Sequence, residues 1–345
     1  MNGYIPLKIV LVKKETDDCK TFVLEPADGS KLSYQAGQFL TLVFPKGAGE
    51  DRRSFSISST PILDEPLSIT VKKIANGEYS RKLVDYAGPG DILLTIGASG
   101  FFTLPANMES FRQLVFIAAG SGITPIYSLI KTVLVQYPGI RVLLIYGNRT
   151  KANTIFHREL EALAIRYKER FIIEWLFSTA LNLEKARLSK WLLEKMLQKY
   201  MVRPAAANLF YLCGPYEFMR MAGIELLEDR IPAANIRKEI FNPFKPVIKE
   251  LPPDTDVHMV TIRTGEKNYS LKVKYPQTIL QAIKKAGMPV RYSCEAGKCG
   301  TCVAHCSSGV VWMSNNEVLM DDEIAKGKVL TCVGYPVKGD VVLEL

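Results

Sequence analysis

The first hundred residues alternate short apolar stretches with turn-forming residues. Four stretches rich in β-branched and aromatic residues are predicted strands, at 38–44, 53–58, 67–74 and 91–96. Segments containing proline or glycine separate them, at 45–49, 61–66 and 88–90. One helix is predicted at about 78–86. Many short strands divided in this way are typical of an antiparallel barrel or sandwich, so residues 1–105 are predicted to form an all-β domain.

The pattern changes over residues 106–242, where apolar strands alternate with helix-length stretches. The predicted strands are 114–118, 142–146, 172–177, 209–212 and 236–240. The predicted helices are 125–137, 153–167, 186–200 and 216–229. Strand–helix alternation of this kind builds a doubly wound parallel sheet, so this region is predicted to be an α/β domain.

A third region follows a short proline-rich stretch. Residues 243–256 contain four prolines and mixed charges, which predicts a semi-rigid linker. Residues 257–345 are predicted to form a small domain, mostly of strands, with one helix at about 278–285. The sequence therefore indicates three domains and a linker.

Composition and charge exclude several classes of protein. Of 345 residues, 48% are hydrophobic and 23% are charged, which is typical of a globular chain. The net charge of +9 is not clustered, since the longest basic runs are pairs such as Lys13-Lys14. We therefore expect no nucleic-acid partner; a solvated basic surface, or a docking face for an acidic protein, accounts for the charge. The longest apolar tract, 114–135, is broken by Gly, Ser, Thr and Pro, so no membrane insertion is expected. Without a signal-peptide pattern, a cytoplasmic location is expected.

Five of the seven cysteines lie in the last 52 residues, and four of them have a recognisable spacing. The spacing is C-x4-C-x2-C followed by a fourth cysteine after 29 further residues: Cys294, Cys299, Cys302 and Cys332. This is the plant-type [2Fe–2S] arrangement, in which four thiolates hold two irons. A Rieske centre would need histidine ligands, and none lies in the loop. The alternatives are a zinc ribbon, which this spacing fits poorly, and free thiols. Cys306 is predicted to be a packed residue rather than a ligand.

At these residues the chain resembles a known family. The segment 291–335 resembles the plant-type ferredoxin domain fused to the C-terminus of oxygenase reductases. That resemblance implies an α+β, β-grasp ferredoxin domain at 257–345.

A second motif resembles the flavin signature of the ferredoxin–NADP reductase superfamily. Arg53-Ser54-Phe55-Ser56 matches R-x-[YF]-[ST]. The resemblance implies an antiparallel β-barrel flavin domain with Arg53 at the pyrophosphate, Phe55 along the isoalloxazine or ribityl group and Ser56 near the flavin N5. Further flavin-binding candidates lie downstream: Lys72, Gly77, Tyr79 and Ser80. Gly77–Ser80 resembles the G-x-x-S of members that bind a pyrophosphate, so FAD is expected rather than FMN.

The nucleotide motifs follow in family order. Gly120, Gly122, Thr124 and Pro125 stand in the turn between a strand and a helix, where glycines let phosphates approach the backbone. The resemblance implies that Thr124 faces the flavin. Cys213-Gly214-Pro215 resembles the C-G-P whose cysteine lies beside the nicotinamide C4; a small buried cysteine is the alternative. Glu239-Ile-Phe241 resembles E-x-F. This resemblance implies that Phe241 covers the flavin ring and that Glu239 helps to transfer protons there.

The order of the motifs resembles the group of phenylacetyl-CoA epoxidase reductases and 3-ketosteroid hydroxylase reductases. The stretch 146–150 strengthens the former resemblance, whereas Ala186 stands where the family often has glycine. The expected function is electron transfer from NAD(P)H through FAD and a [2Fe–2S] cluster to an oxygenase, hydroxylase or desaturase component, with phenylacetyl-CoA epoxidase as one candidate. Alternatives are a ferredoxin-type carrier or sensor, or a reductase that makes NADPH. Arg149 and Lys151, with no carboxylate nearby in sequence, favour NADPH over NADH.

Overall fold

A computed structural model describes residues 4–47, 49–180, 186–241, 250–265 and 267–345. Within these ranges it contains sixteen strands and seven α-helices. The contacts divide the chain into two units. One contains Tyr4–Ala98 and Phe102–Phe241, and the other contains Ser99–Phe101 and the described residues from 250 onward. Among the described residues, no helix combines the length and the apolar character needed to cross a membrane.

The N-terminal part of the larger unit is an antiparallel sheet. Its elements are β1 (Ile5–Thr16), β2 (Cys19–Pro26), β3 (Phe39–Lys46), β4 (Gly49–Ser56), β5 (Ser68–Lys72), α1 (Glu78–Tyr86) and β6 (Ile92–Ser99). The strand order is β4-β3-β6-β1-β2-β5. A bridge between Ile57, just after edge strand β4, and Ile69 of the other edge strand closes this sheet into a barrel. The predicted barrel and its helix are confirmed.

Alternate residues of the barrel strands point inward, as a pleated strand requires. Leu7 and Ile9 of β1 and Leu40 and Leu42 of β3 are buried in one cluster. Burial of each such side chain contributes about 1.5–3 kcal/mol to folding. β1 and β2 lie in the region expected to be all-β but were not individually predicted, because exposed charged residues such as Lys13 interrupt their apolar pattern.

The second part of the larger unit is a five-stranded parallel sheet with helices. Its elements are β7 (Gln113–Ala119), α2 (Ile123–Gln136), β8 (Arg141–Asn148), α3 (His157–Arg166), β9 (Phe171–Phe177), α4 (Lys190–Tyr200), β10 (Asn208–Cys213), α5 (Tyr216–Glu228) and β11 (Ile236–Glu239). The strand order is β11-β10-β7-β8-β9. The chain therefore builds outward from β7 in both directions, and the strand order reverses between β7 and β10. Ligands of such sheets bind at the carboxyl ends of the strands beside that reversal.

Each face of this sheet has its own apolar core. Leu114 and Phe116 of β7 pack with residues of α2 and α3, whereas Val115 and Ile117 pack with residues of α4 and α5. Both faces of the strands are buried, which explains their continuous apolar runs. The predicted doubly wound sheet is confirmed.

The smaller unit carries a mixed sheet. Its elements are β12 (His258–Thr264), β13 (Lys267–Val273), α6 (Ile279–Lys285), β14 (Val303–Met313), α7 (Asp321–Ala325), β15 (Lys328–Leu330) and β16 (Gly334–Glu344). The order is β13-β12-β16-β14-β15, and β12 runs parallel to β16. Ile279 and Ile283 of α6 pack into the core of the sheet, which gives the expected β-grasp arrangement. The helix predicted at about 278–285 is confirmed as α6. The second helix, α7, was not predicted, because its five residues are too few to show a helical period.

The predicted domain limits stay predictions. Residues 242–249, which include most of the predicted linker 243–256, lie outside the described residues. The predicted boundary at 105/106 falls within the larger unit, and that at 256/257 falls within the smaller one.

Candidate cofactor sites

The predicted flavin strand lies at the end of β4, paired with β3. In the register Arg53 faces Leu42 and Phe55 faces Leu40. Arg53 and Phe55 share one face of β4, because successive side chains alternate. Arg53 is exposed and Phe55 is half-buried, so this face is accessible to a ligand.

Ser54 and Ser56 point to the other side of β4. Ser54 is exposed, and its hydroxyl lies 3.2 Å from Thr41 Oγ1. Ser56 Oγ is buried and has no hydrogen-bond partner among the described residues. A buried hydroxyl without a partner costs about 1–3 kcal/mol. A bound flavin that supplied a hydrogen bond would remove that cost, so the residues present fit FAD.

The loop before α1 forms the expected phosphate end of this site. Gly77 precedes α1 and caps it without a side-chain hydrogen bond, so the N–H groups of its first turn are not satisfied by a cap. A Cβ at Gly77 would lie 2.3 Å from Ile74 Cγ1 and 2.4 Å from Ser80 Oγ, so any larger residue here would displace these side chains. Ser80 Oγ donates to the Gly77 carbonyl at 3.1 Å and therefore holds this turn. Direct contact of Ser80 with a phosphate stays a prediction.

Two other flavin-binding candidates are engaged with neighbouring side chains. The Tyr79 ring stacks on Phe44 with centroids 4.2 Å apart, and the Arg53 guanidinium lies 5.1 Å from the Tyr79 centroid. Tyr79 therefore joins the phosphate turn to the flavin strand. Lys72 Nζ lies 3.5 Å from a carboxylate oxygen of Asp18, so its charge is already paired.

The nucleotide turn packs directly against the end of β10. Gly120–Gly122 forms a 3₁₀ turn between β7 and α2, and Gly120 has φ +55°. A Cβ at Gly122 would lie 2.0 Å from the Cys213 carbonyl oxygen. A Cβ at Gly214 would lie 3.1 Å from the Cβ of Ala119. These glycines allow two strand ends to approach closely, as a nucleotide-binding crevice requires.

Within α2, Pro125 is buried, and Thr124 is buried with its Oγ1 donating to the Ser121 carbonyl at 2.9 Å. The Thr124 hydroxyl is therefore engaged within its own turn, and its orientation towards the flavin stays a prediction. Pro125 lies in the first turn, where the missing N–H costs no hydrogen bond.

Cys213 and Glu239 are neighbours at the carboxyl ends of β10 and β11, where they are paired in the sheet register. Cys213 is fully buried, and burial raises the pKa of its thiol, with a smaller contribution from Glu239. Part of Glu239 remains exposed, but its Oε2 is buried without a hydrogen-bond partner among the described residues. Burial raises the pKa of Glu239 to about 8. This pair can hold a neutral thiol beside a carboxyl that binds or releases a proton near neutral pH.

Three remaining candidates lie at the same edge of the sheet. Pro215 precedes α5, Phe241 follows β11 and is 44% exposed, and Arg149 follows β8 with an exposed side chain. The motif residues therefore lie at the carboxyl ends of adjacent strands, at the reversal of strand order.

Sequence reasoning missed the contacts that join the barrel to the parallel sheet. Ser128 Oγ donates to the Ser59 carbonyl at 2.5 Å, and the hydroxyls of Thr60 and Thr132 lie 2.7 Å apart. Lys131 of α2 also forms an ion pair with Glu65. These contacts link the loop after the flavin strand to the helix after the nucleotide turn. They show no sequence signal, because each partner is an ordinary polar residue distant in the chain.

The four predicted cluster ligands are brought together in the smaller unit. Cys294, Cys299 and Cys302 lie on the loop before β14, and Cys332 lies between β15 and β16. Cys294 lies close to Cys299, and Cys302 lies close to Cys332. The Cys299 thiol donates to Thr301 Oγ1 at 3.3 Å. The neighbouring thiol lowers the pKa of Cys294 and of Cys302; burial opposes this shift, and hydrogen bonds from backbone N–H groups add to it.

The backbone of this loop is shaped around the thiols. Ala296 N lies 3.4 Å from Cys294 Sγ. Gly297 and Gly300 have φ of +73° and +71°, and a Cβ at Gly297 would lie 2.8 Å from the Asn315 carbonyl oxygen. Four grouped thiols with backbone donors around them fit a [2Fe–2S] cluster. Cys306 instead lies in β14, where its Sγ is 3.4 Å from the Ser308 carbonyl oxygen.

The fold and these sites define a class of protein, the pyridine-nucleotide-dependent flavin reductases that carry an iron–sulfur domain. Two family models match the chain. The oxidoreductase NAD-binding domain matches residues 116–223, and the 2Fe-2S iron-sulfur cluster binding domain matches residues 263–337.

Relatives that align along nearly the whole chain agree with this class. The chain is 32% identical to the ferredoxin reductase component of 3-ketosteroid-9-alpha-monooxygenase from Mycobacterium tuberculosis, over 96% of this chain and 93% of that protein. It is 30% identical to a subunit of 1,2-phenylacetyl-CoA epoxidase from Escherichia coli, over 100% of this chain and 98% of that protein. The chain belongs to this family of oxygenase reductases, within the ferredoxin–NADP reductase superfamily.

A solved structure shows the same modular architecture. Phthalate dioxygenase reductase, described as a modular structure for electron transfer from pyridine nucleotides to [2Fe-2S], aligns with a TM-score of 0.61 and 25% identity. The alignment covers 99% of this chain and 98% of that chain. The chain is an oxidoreductase, and its cofactors are FAD, NAD(P)H and a [2Fe–2S] cluster.

Proposed function

We propose that this chain delivers electrons from NADPH to the oxygenase component of a multicomponent system. The observation that carries the proposal is the presence on one chain of a nucleotide turn at Gly120–Gly122 and of the four cysteines predicted to hold the cluster. A carrier or sensor without NAD(P)H oxidation would not need the close approach of Gly122 to Cys213. The alternative is electron flow in the opposite direction, from a reduced partner to NADP. It is less well supported, because a cluster carried on the same chain as the nucleotide site suits electron flow outward.

When bound, FAD accepts two electrons from NAD(P)H together, and the cluster passes electrons on singly. The residues of this chain position and tune those groups. Gly122 and Gly214 allow the nucleotide turn and the end of β10 to approach closely, and Cys213 presents a neutral thiol there. Glu239, next to Cys213 in the sheet, supplies a carboxyl able to hold a proton near pH 8.

The oxygenase that accepts the electrons is proposed from the relatives. One named relative is a component of a ketosteroid monooxygenase, and the other is a component of phenylacetyl-CoA epoxidase. The motif at 146–150 supports the epoxidase, whereas the higher identity supports the monooxygenase. Reconstitution of each oxygenase with this chain and NADPH decides between them. Product formation with one oxygenase supports it as the acceptor. No product with either oxygenase would refute both candidate acceptors.

The preference for NADPH is proposed from charge at the end of β8. The Arg149 side chain is exposed there, and it has no ion pair among the described residues. Lys151 is nearby in the chain but lies 3.6 Å from a carboxylate oxygen of Glu161. An Arg guanidinium can form two hydrogen bonds to a 2′-phosphate, and each charged hydrogen bond contributes about 1.5–3 kcal/mol.

Replacement of that arginine tests the preference. Arg149→Ala is expected to lower kcat/KM for NADPH by about 10- to 100-fold and to leave kcat/KM for NADH nearly unchanged. Arg141→Ala is the matched control, because Arg141 is also exposed but lies at the amino end of β8. Equal efficiencies of wild type with the two nucleotides, or equal losses with both in Arg149→Ala, would refute the proposal.

A cytoplasmic location is proposed from the same chemistry. Four cysteines that must stay reduced to hold a cluster suit a compartment in which thiols persist. Activity and cluster absorbance in a cytosolic fraction would support this location, and recovery only from a membrane or secreted fraction would contradict it.

A further inference from the structure

A nearly buried cation lies inside the loop that carries the cluster cysteines. Lys298 stands between Cys294 and Cys299, and its side chain is only 9% exposed. Lysine is rarely buried to this extent unless its charge is paired. The partner is Glu317, whose Oε1 lies 3.6 Å from Lys298 Nζ and whose side chain is 26% exposed.

The segment that carries Glu317 also holds the loop backbone. Glu317 N donates to the Gly297 carbonyl at 2.9 Å. Asn315 Nδ2 donates to the Ala296 carbonyl at 2.8 Å and to Glu317 Oε1 at 3.1 Å. The absence of a Cβ at Gly297 leaves room for Asn315 to pack against it. Asn315 and Glu317 therefore fix both the loop and the position of the Lys298 charge.

A fixed and poorly hydrated charge acts strongly on a nearby redox group. Each reduction adds one electron to the cluster, which a positive charge stabilises and a negative charge opposes. Exposed charges are screened by water and salt, whereas Lys298 is largely removed from both. The loop therefore combines a positive and a negative charge whose effects on the reduced state have opposite sign.

We propose that Lys298 and Glu317 set the reduction potential of the cluster, with Lys298 raising it and Glu317 offsetting part of that effect. This inference rests on the proposed function, because it needs the cluster to be bound by the four cysteines. Asn315 is a positioning residue, since it acts through Glu317 and the loop backbone. None of the three residues is a cluster ligand.

The test measures the potential of the cluster in the full-length holoprotein by spectroelectrochemical titration. Lys298→Met is expected to lower the ratio of reduced to oxidised cluster at a fixed potential by about tenfold, equivalent to 59 mV for a one-electron couple. Glu317→Gln, which still accepts the hydrogen bond from Asn315, is expected to raise that ratio. The double variant is expected to return towards wild type.

A control in the same unit separates this effect from general surface charge. Lys326 pairs with Asp322 on α7, and their side chains are 75% and 69% exposed. Lys326→Met removes the same charge from an exposed pair and should leave the potential unchanged.

Three results would overturn the inference. Shifts of the same sign in Lys298→Met and Glu317→Gln, or no shift with the cluster still bound, would show that the pair does not tune the potential. Loss of the cluster from both variants, with recovery in Lys298→Arg, would assign the pair to loop folding alone. A wild-type protein that binds no cluster would instead refute the proposed function.

Discussion

Gly122→Ala tests whether the close contact between the nucleotide turn and β10 serves hydride transfer. The added Cβ would lie 2.0 Å from the Cys213 carbonyl oxygen, 2.4 Å from its carbonyl carbon and 2.9 Å from Gly214 N. Real Cβ contacts are essentially never shorter than 3.0 Å. The atoms that obstruct the methyl group belong to backbone, so no side chain can rotate away.

The size of the effect follows from the displacement. Relief of the contact from 2.0 Å to 3.0 Å requires the turn and the end of β10 to separate by about 1 Å. A misplacement of that size between reacting groups costs about 100-fold in rate, or about 2.7 kcal/mol of transition-state stabilisation. Crowding of a packed site also destabilises the fold by about 1–3 kcal/mol.

The assay is stopped-flow reduction of the bound flavin by NADPH. Gly122→Ala is expected to slow this step by about 100-fold while cluster absorbance stays normal. Gly139→Ala is the matched control, because a Cβ there meets no atom within 4 Å. Reduction of Gly122→Ala at the wild-type rate would refute the view that this contact shapes the nucleotide site.

Two further variants probe the neighbouring strand ends. Cys213→Ala should slow flavin reduction by about tenfold with FAD and cluster content unchanged, since the thiol helps to orient the nicotinamide; Cys19→Ala removes an equally buried thiol and should not slow it. Flavin reduction at the wild-type rate in Cys213→Ala would show that Cys213 contributes only to packing. Glu239→Gln tests a pH dependence of stability. The pKa of Glu239 in the folded protein is about 8, above its ordinary value of 4.5. Between these two pH values the folded protein keeps a proton that the unfolded chain loses. Stability should therefore fall as pH rises from about 4.5 to 8, by at most about 1.4 kcal/mol per pH unit, and Glu239→Gln should flatten this fall. Thermal unfolding across that range measures it, and identical slopes in both proteins would contradict the buried-carboxyl assignment.

Local patterns predicted the architecture because each domain has a distinct periodicity. Short strands with turn residues indicated the barrel, and continuous apolar strands such as β7 indicated a parallel sheet buried on both faces. The helix at 78–86 was predicted at its observed bounds, since Gly77 precedes it and its apolar residues have helical spacing. Short α7 was missed because five residues hold little more than one turn.

The candidate sites were predictable only where residues are close in sequence. The spacing of Cys294, Cys299 and Cys302 reveals a common loop, and the fourth cysteine fits the same pattern. The pairing of Lys298 with Glu317 was not predictable, because ordinary charged residues far apart in the chain carry no spacing signal. The buried Oε2 of Glu239 also depends on tertiary packing, so its raised pKa could not be inferred from sequence.

The central claim is that electrons leave this chain through a cluster held by the four cysteines. The direct measurement compares NADPH-dependent reduction of ferricyanide and of cytochrome c by wild type, Cys332→Ser and Cys306→Ser. Cys332→Ser should lose the cluster absorbance and cytochrome c reduction while it keeps ferricyanide reduction, and Cys306→Ser should keep all three. Cytochrome c reduction at the wild-type rate by Cys332→Ser, or loss of the cluster in Cys306→Ser, would contradict this account.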